Sequence, residues 1–203
     1  MPLMLAVENS GMPFIRYSSN EDLWSHSTEN DGMMDIDMVD GKLPAPMIID
    51  VENINMGWLM LAVGQRDWQP FPSVNEQTEK PGDDYKQGFS VKVYSKKLFD
   101  DAPLREFCSS GAGLLMFIQK LYNECEAEFG KGKAPVVQIF KTPTMKLGKG
   151  NTRNPKYEIV KWADRPEEML AESAPSVEST EQQSTTDAAP AAKSDDVFDD
   201  DEI

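Results

Sequence analysis

Phe89-Ser90-Val91-Lys92-Val93-Tyr94-Ser95-Lys96 is the stretch that decides the fold. Phe89, Val91 and Val93 alternate with Ser90, Lys92, Tyr94 and Lys96, and a period of two assigns the first set to a core face and the second to an outer face. Upstream, Gln65 to Asp84 is polar and rich in turn formers, with Trp68 and Phe71 beside Pro70 and Pro72. Before it lie two apolar segments of strand length, Pro46 to Glu52 and Ile54 to Val63. Gly57 marks a bulge or bend in the second. Met12 to Tyr17 reads as a first strand, and Ser18 to Asp40 as a polar, acidic run with turn signals at Asp31-Gly32 and Asp40-Gly41.

Downstream, Ala102 to Phe129 reads as helix, split near Ser109-Ser110-Gly111. Its second part places Leu114, Phe117, Ile118, Leu121, Tyr122 and Cys125 at spacings of three and four, a core-facing stripe. Strand returns at Ala134 to Thr142 and at Lys156 to Ala163, on either side of a basic hairpin loop from Pro143 to Pro155. After Leu170 the apolar periodicity stops, and Ala, Ser, Thr, Glu, Gln and Pro run into Asp195-Asp196-Val197-Phe198-Asp199-Asp200-Asp201-Glu202-Ile203. The expected architecture is mainly β: an OB-fold-like, five-stranded barrel with a helix before the last two strands. That domain, with an N-terminal extension, spans residues 1–170. Residues 171–203 form a disordered acidic tail on composition.

The formal net charge of -15 argues against a nucleic-acid partner only as an average. Residues 1–84 hold 4 basic and 15 acidic side chains, whereas residues 85–162 hold 14 basic and 7 acidic. That asymmetry gives the molecule a positive region and a separable negative one. Single strands are held without sequence preference by cations that track phosphates and by aromatic rings on which bases stack. Lys92, Tyr94 and Lys96, with Lys97, supply both elements. Lys141, Lys146, Lys149 and Arg153, among glycines and asparagines, supply an adaptable basic loop, and Lys156, Tyr157, Lys161 and Trp162 extend it. Tyr157 and Trp162 have opposite parity, so at least one belongs to the core. Trp68 and Phe71 are further stacking candidates, with packing of a Pro-rich loop as the competing role.

Other chemistries find little support. Cys108 and Cys125 are too sparse for a zinc site and read as small apolar residues. His26 stands alone in an acidic stretch, so no catalytic base is indicated. Gly148-Lys149-Gly150-Asn151-Thr152 fails as a phosphate-binding loop, because Pro143 stands where the first Gly belongs and a strand, not a helix, follows. Acids such as Asp35 and Asp37 read as a solvated run before a magnesium site. The expectation is a non-enzyme without metal or cofactor. No apolar stretch reaches the roughly 20 residues of a membrane span, and no signal peptide is evident, so a soluble, cytoplasmic protein is expected.

Val136-Val-Gln-Ile-Phe-Lys-Thr-Pro143, the Lys/Gly loop, Tyr157-Glu-Ile-Val-Lys-Trp162 and the acidic C-terminus together resemble single-stranded DNA-binding proteins of the bacteriophage type. The resemblance implies coating of exposed strands in replication, recombination or repair, in a bacterial host. It also implies that Asp199, Asp200, Asp201, Glu202 and Ile203 recruit replication or recombination proteins and compete with DNA for the basic groove. Bacterial members end in acids followed by Ile, Pro and Phe, whereas this chain ends in Ile203. The sequence leaves the oligomeric state open, a homodimer included. The alternative is an acidic interaction module or nucleic-acid mimic whose basic region pairs with its own acidic half.

Overall fold

The computed structural model describes residues 12–28, 32–62, 65–99 and 101–171. The chain divides into two units, Met1–Ser173 and Ala174–Ile203. The proposed tail, with Asp199 to Ile203, lies outside the described residues.

Strand β7 (Lys86–Tyr94) is the organiser. Phe89, Val91 and Val93 are buried in the core, as their alternation requires. One edge of β7 pairs with β8 (Leu104–Ser109) from Phe89 to Tyr94. The other edge is shared: β5 (Asn55–Ala62) pairs with Lys86 to Ser90, and β4 (Met47–Ile49) with Val93 and Tyr94. Between β4 and β5 the chain makes a single 3₁₀ turn, Val51–Asn53, where the Asn53 side-chain amide donates to the Asp50 carboxylate. This bend lets β4 also pair with β9 (Lys133–Lys141), which pairs in turn with β12 (Lys156–Asp164). A single apolar cluster fills the curve, in which Met47, Ile49, Val93, Phe107, Val137 and Ile139 meet Leu114, Phe117, Ile118 and Leu121 of α1 (Ala112–Cys125).

The result is a curled, half-barrel sheet of ten strands, more than the five expected, with α1 packed against it. Past β8 the sheet continues through β1 (Phe14–Ser18), β2 (Leu23–Ser27) and β3 (Met33–Ile36). Strand β6 (Gln65–Pro70) pairs with β5. A separate two-stranded hairpin joins β10 (Thr144–Leu147) to β11 (Gly150–Arg153), and the short helix α2 (Glu167–Ala171) follows β12.

Three readings of the sequence are corrected. Leu104–Ser109 is a strand rather than the start of a helix, so Cys108 and Cys125 lie on different elements, both as free thiols. The acidic run contains β2 and β3, and Gln65 to Asp84 contains β6. In β2 the fully buried Trp24 is followed by three buried polar residues, Ser25, His26 and Ser27, so no apolar alternation shows. His26 is accounted for structurally: its Nδ1 lies 2.9 Å from the Ser27 carbonyl, which can only accept, and its ring stands edge-on to Phe99.

Candidate nucleic-acid interface

Two loci gather the predicted residues. The first is the face of β7 opposite the core. Strand pairing puts Lys86, Gly88, Ser90 and Lys92 on this face together with Leu59, Gly57 and Glu106 of the neighbouring strands. Trp68 stands opposite Leu59 on β6 and joins them. Its ring lies over Gly57, where an added Cβ would meet Cη2 and Cζ2 at 2.9 Å. Gly57 in turn faces Gly88 across the strands, so a pair of residues without side chains makes room for a half-buried indole.

On the same face Arg66 holds Glu106 with two hydrogen bonds of 2.8 and 2.7 Å, and the Ser90 hydroxyl donates to the same carboxylate at 2.6 Å. Burial raises the Glu106 pKa, but the Arg66 and Ser90 hydrogen bonds outweigh it and leave the carboxyl below its ordinary value. The other predicted residues here are more engaged than their sequence positions imply. Lys92 donates to the Met169 carbonyl of α2 at 3.2 Å. Tyr94 is buried, with the Lys96 ammonium 6.0 Å from its ring centroid, while Lys96 and Lys97 are exposed. Phe71 is buried edge-on against Trp58, the packing role that competed with stacking.

The second locus is the β9, β12 and β10–β11 region. Lys141 and Lys156 stand directly opposite each other on neighbouring strands. Like charges so placed repel, an arrangement that a charged partner relieves. Lys146 and Lys149 project from the hairpin, whose two-residue turn places Gly148 at φ 58, and Lys161 is exposed on β12. None of these five lysines forms an ion pair with an acid among the described residues.

Four of the five arginines behave oppositely. Arg66, Arg105, Arg153 and Arg165 each bind a carboxylate, on Glu106, Asp101, Asp22, and Asp50 with Glu52 respectively. Arg153, expected among the phosphate contacts, also donates to the Ser19 and Thr142 carbonyls and so clamps the hairpin base to the β1–β2 turn. Asp22, at φ 55, receives Tyr17, Thr142 and Arg153 together.

Two bulges rearrange the β9–β12 faces in a way that strict alternation misses. Between Ile139↔Tyr157 and Lys141↔Lys156 the extra residue is Phe140; between Val137↔Ile159 and Val136↔Lys161 it is Val160. The second bulge resets the parity of β12, so Tyr157 and Trp162 both pack against the core despite their opposite parity. Tyr157 lies edge-on to Phe117 and donates to Glu124 at 2.7 Å, with Lys120 over its ring at 5.2 Å; burial and Glu124 push its hydroxyl pKa up. The first bulge leaves Phe140 41 % exposed, the one exposed aromatic side chain among the described residues. It follows Ile139 and precedes Lys141, and its bulge is invisible in the sequence.

A cleft of about 360 Å³ between α1 and the β5–β7 end is lined by Met56, Val74 and Leu115 with Gln87, Gln119 and Asn123 among others, and carries no charged side chain. It does not suit phosphates. Among the described residues no group of three His, Cys, Asp or Glu could hold a metal ion, and no helix is long and apolar enough to cross a membrane. Compared with known proteins, the chain matches no family model, no curated protein and no solved structure.

Proposed function

We propose that the protein binds single-stranded DNA without sequence preference and serves strand coating in replication, recombination or repair. The observation that carries this reading is the set of five exposed lysines that form no ion pair with an acid among the described residues, two of them directly opposed. Phosphates supply the missing counter-charge, and ammonium groups on flexible stems suit an irregular backbone path. Base-edge reading usually falls to Arg forks. Here four arginines are committed to internal carboxylates, which favours tolerance of sequence. Phe140 and Trp68 are the rings best placed to stack bases; Tyr94, Tyr157 and Phe71 have other engagements.

The strand arrangement supports an oligonucleotide-binding barrel. Counting β4 with β5 as the first strand, then β7, β8, β9 and β12, the helix α1 falls between the third and fourth. In that fold the second and third strands and the loops after the first and fourth strands bind the ligand. Those correspond to the β7–β8 face, the segment carrying Trp68, and the β10–β11 hairpin. One departure is that the free edge of β8 is taken by β1, running parallel to it. The C-terminal Asp199 to Ile203 would offer acids to the same lysines and to basic partners, since a tether keeps the local concentration near millimolar.

The test is binding to labelled oligo-dT, with and without residues 172–203. Affinity falling with salt, indifference to sequence and tighter binding by the shortened chain are expected. Failure of the shortened, folded chain to bind would sink the proposal. The competing reading, a basic region that merely pairs with the protein's own acidic half, is favoured among the described residues by Arg153–Asp22 and, just past the basic region, by Arg165 with Asp50 and Glu52. The five lysines that form no ion pair among the described residues count against it.

A further inference from the structure

Strand binding leaves the cleft between α1 and the β5–β7 end without a role, yet its chemistry is graded from floor to rim. Ile54 and Ile118 are buried at its floor. Met56 of β5 and Val74 of the loop after β6 form one half-buried wall, and Leu115 and Tyr122 of α1 form the other. The exposed rim consists of four carboxamides from three separate elements: Asn75 from the loop after β6, Gln87 from β7, and Gln119 and Asn123 one helical turn apart on α1. Gln87 extends the Phe89, Val91, Val93 alternation by one step, which puts it on the core side of β7. A polar residue thus ends the apolar series where the core gives way to the cleft. The amides of Asn53 and Gln138 are bound inside the protein, whereas none of these four makes a side-chain hydrogen bond among the described residues. Their charged sequence neighbours, Lys86 and Lys120 against Glu76 and Glu124, are all exposed and balance, so no net charge there favours an ion.

We infer that this cleft is a site for the adenine ring of a free, uncharged nucleoside. Two apolar walls suit the faces of a flat heterocycle, and a rim of carboxamides, each both donor and acceptor, suits an edge that carries both. Among bases, the Asn or Gln amide pairs two-pronged with adenine N6 and N7, whereas guanine draws Arg or Lys and cytosine draws a carboxylate. The lining holds the amides and neither of the charged types. Its volume of about 360 Å³ lies within the range of small-molecule sites, about 300 to 1,000 Å³, and the mouth of a curled sheet is a common place for one. A base within a bound strand is not the source, because the candidate strand path uses Lys86, Ser90 and Lys92 on the opposite face of β7. The site therefore goes beyond the proposed DNA binding and does not rest on it.

Isothermal titration of the full chain with adenosine is expected to show one site with a Kd on the order of 0.1 mM, as suits so small a ligand. Inosine, which has an oxygen where adenosine has its amino group, should bind roughly tenfold more weakly. Gln119→Leu with Asn123→Leu puts strong helix formers at exposed positions, so the variant should melt close to the original while losing adenosine affinity roughly tenfold or more. Leu115→Trp, which fills the cleft from its helix wall, should lose adenosine as well. Neither oligo-dA nor oligo-dT should displace adenosine. Absence of adenosine binding, equal binding of inosine, a folded Gln119→Leu, Asn123→Leu variant of unchanged affinity, or displacement by either oligonucleotide overturns the inference. Failure to bind oligo-dT would instead overturn the functional proposal and leave the adenosine result standing.

Discussion

Gly113 and Arg153 approach so closely that a Cβ on Gly113 would stand 1.9 Å from the Arg153 carbonyl oxygen. The first turn of α1 therefore rests directly on the end of β11, and with the Arg153–Asp22 ion pair it fixes the base of the basic hairpin. Helix propensity alone predicts that Gly113→Ala stabilises the protein by about 1 kcal/mol. The contact predicts the reverse sign: overpacking against backbone costs about 1 to 3 kcal/mol. Urea denaturation of the variant decides between them, and a stabilised Gly113→Ala protein would show that the hairpin is not seated on the helix.

Acid should weaken the fold in part through Glu106. Its folded pKa lies below the unfolded value of about 4.3, so its stabilising contribution is complete above that pH and is lost as pH falls through the folded value. Glu106→Gln removes the contribution at neutral pH. The stability gap between the original and Glu106→Gln proteins should therefore shrink as denaturation is repeated from pH 7 toward pH 3. A gap independent of pH would mean that the Arg66 pairing does not hold the carboxylate ionised.

Neither cysteine should react readily in the folded protein. Burial pushes the Cys108 thiol up to about 12 and Cys125 up to about 11, so both are protonated at pH 8. Labelling by a thiol-specific disulfide reagent is expected to be slow for both and to accelerate to the free-thiol rate in denaturant. Cys125 is buried and Cys108 half-buried, and rapid labelling of either in buffer would show that its thiol is not held protonated.

Phe140 and Tyr157 separate stacking from packing. Phe140→Leu is expected to leave stability within about 0.5 kcal/mol, as for an exposed site, and to weaken oligo-dT binding by about 1 to 3 kcal/mol. Tyr157→Leu should do the opposite, losing the contacts to Phe117 and Glu124. Paired melting and titration curves check both; equal binding losses would place Tyr157 at the interface after all.

What the sequence made legible follows from where alternation survives. Phe89, Val91 and Val93 sit in an undistorted strand between two neighbours, so their period reports their burial directly. The α1 stripe from Leu114 to Cys125 does the same for the helix. Leu104–Ser109 misled because Leu104, Phe107 and Cys108 fit helical spacing as well as a strand, and only pairing with β7 resolves them. Strand β2 was hidden because Trp24 is followed by buried polar residues, Ser25, His26 and Ser27, and not by an apolar alternation. Of the candidate site, the lysines were readable as charge, but Phe140 was not, since a bulge is a property of two strands and neither sequence shows it. The commitment of the arginines was equally hidden, because Asp22, Asp50 and Glu106 lie far along the chain from Arg153, Arg165 and Arg66.

That commitment divides the cations by chemistry as well as by place. The ion pairs that tie the half-barrel together use guanidinium groups, and the lysine pairs Lys120–Glu124 and Lys131–Glu128 are exposed and contribute little. Acylation, which neutralises lysine and spares arginine, would strip the positive surface from this protein while leaving the fastenings of its fold intact.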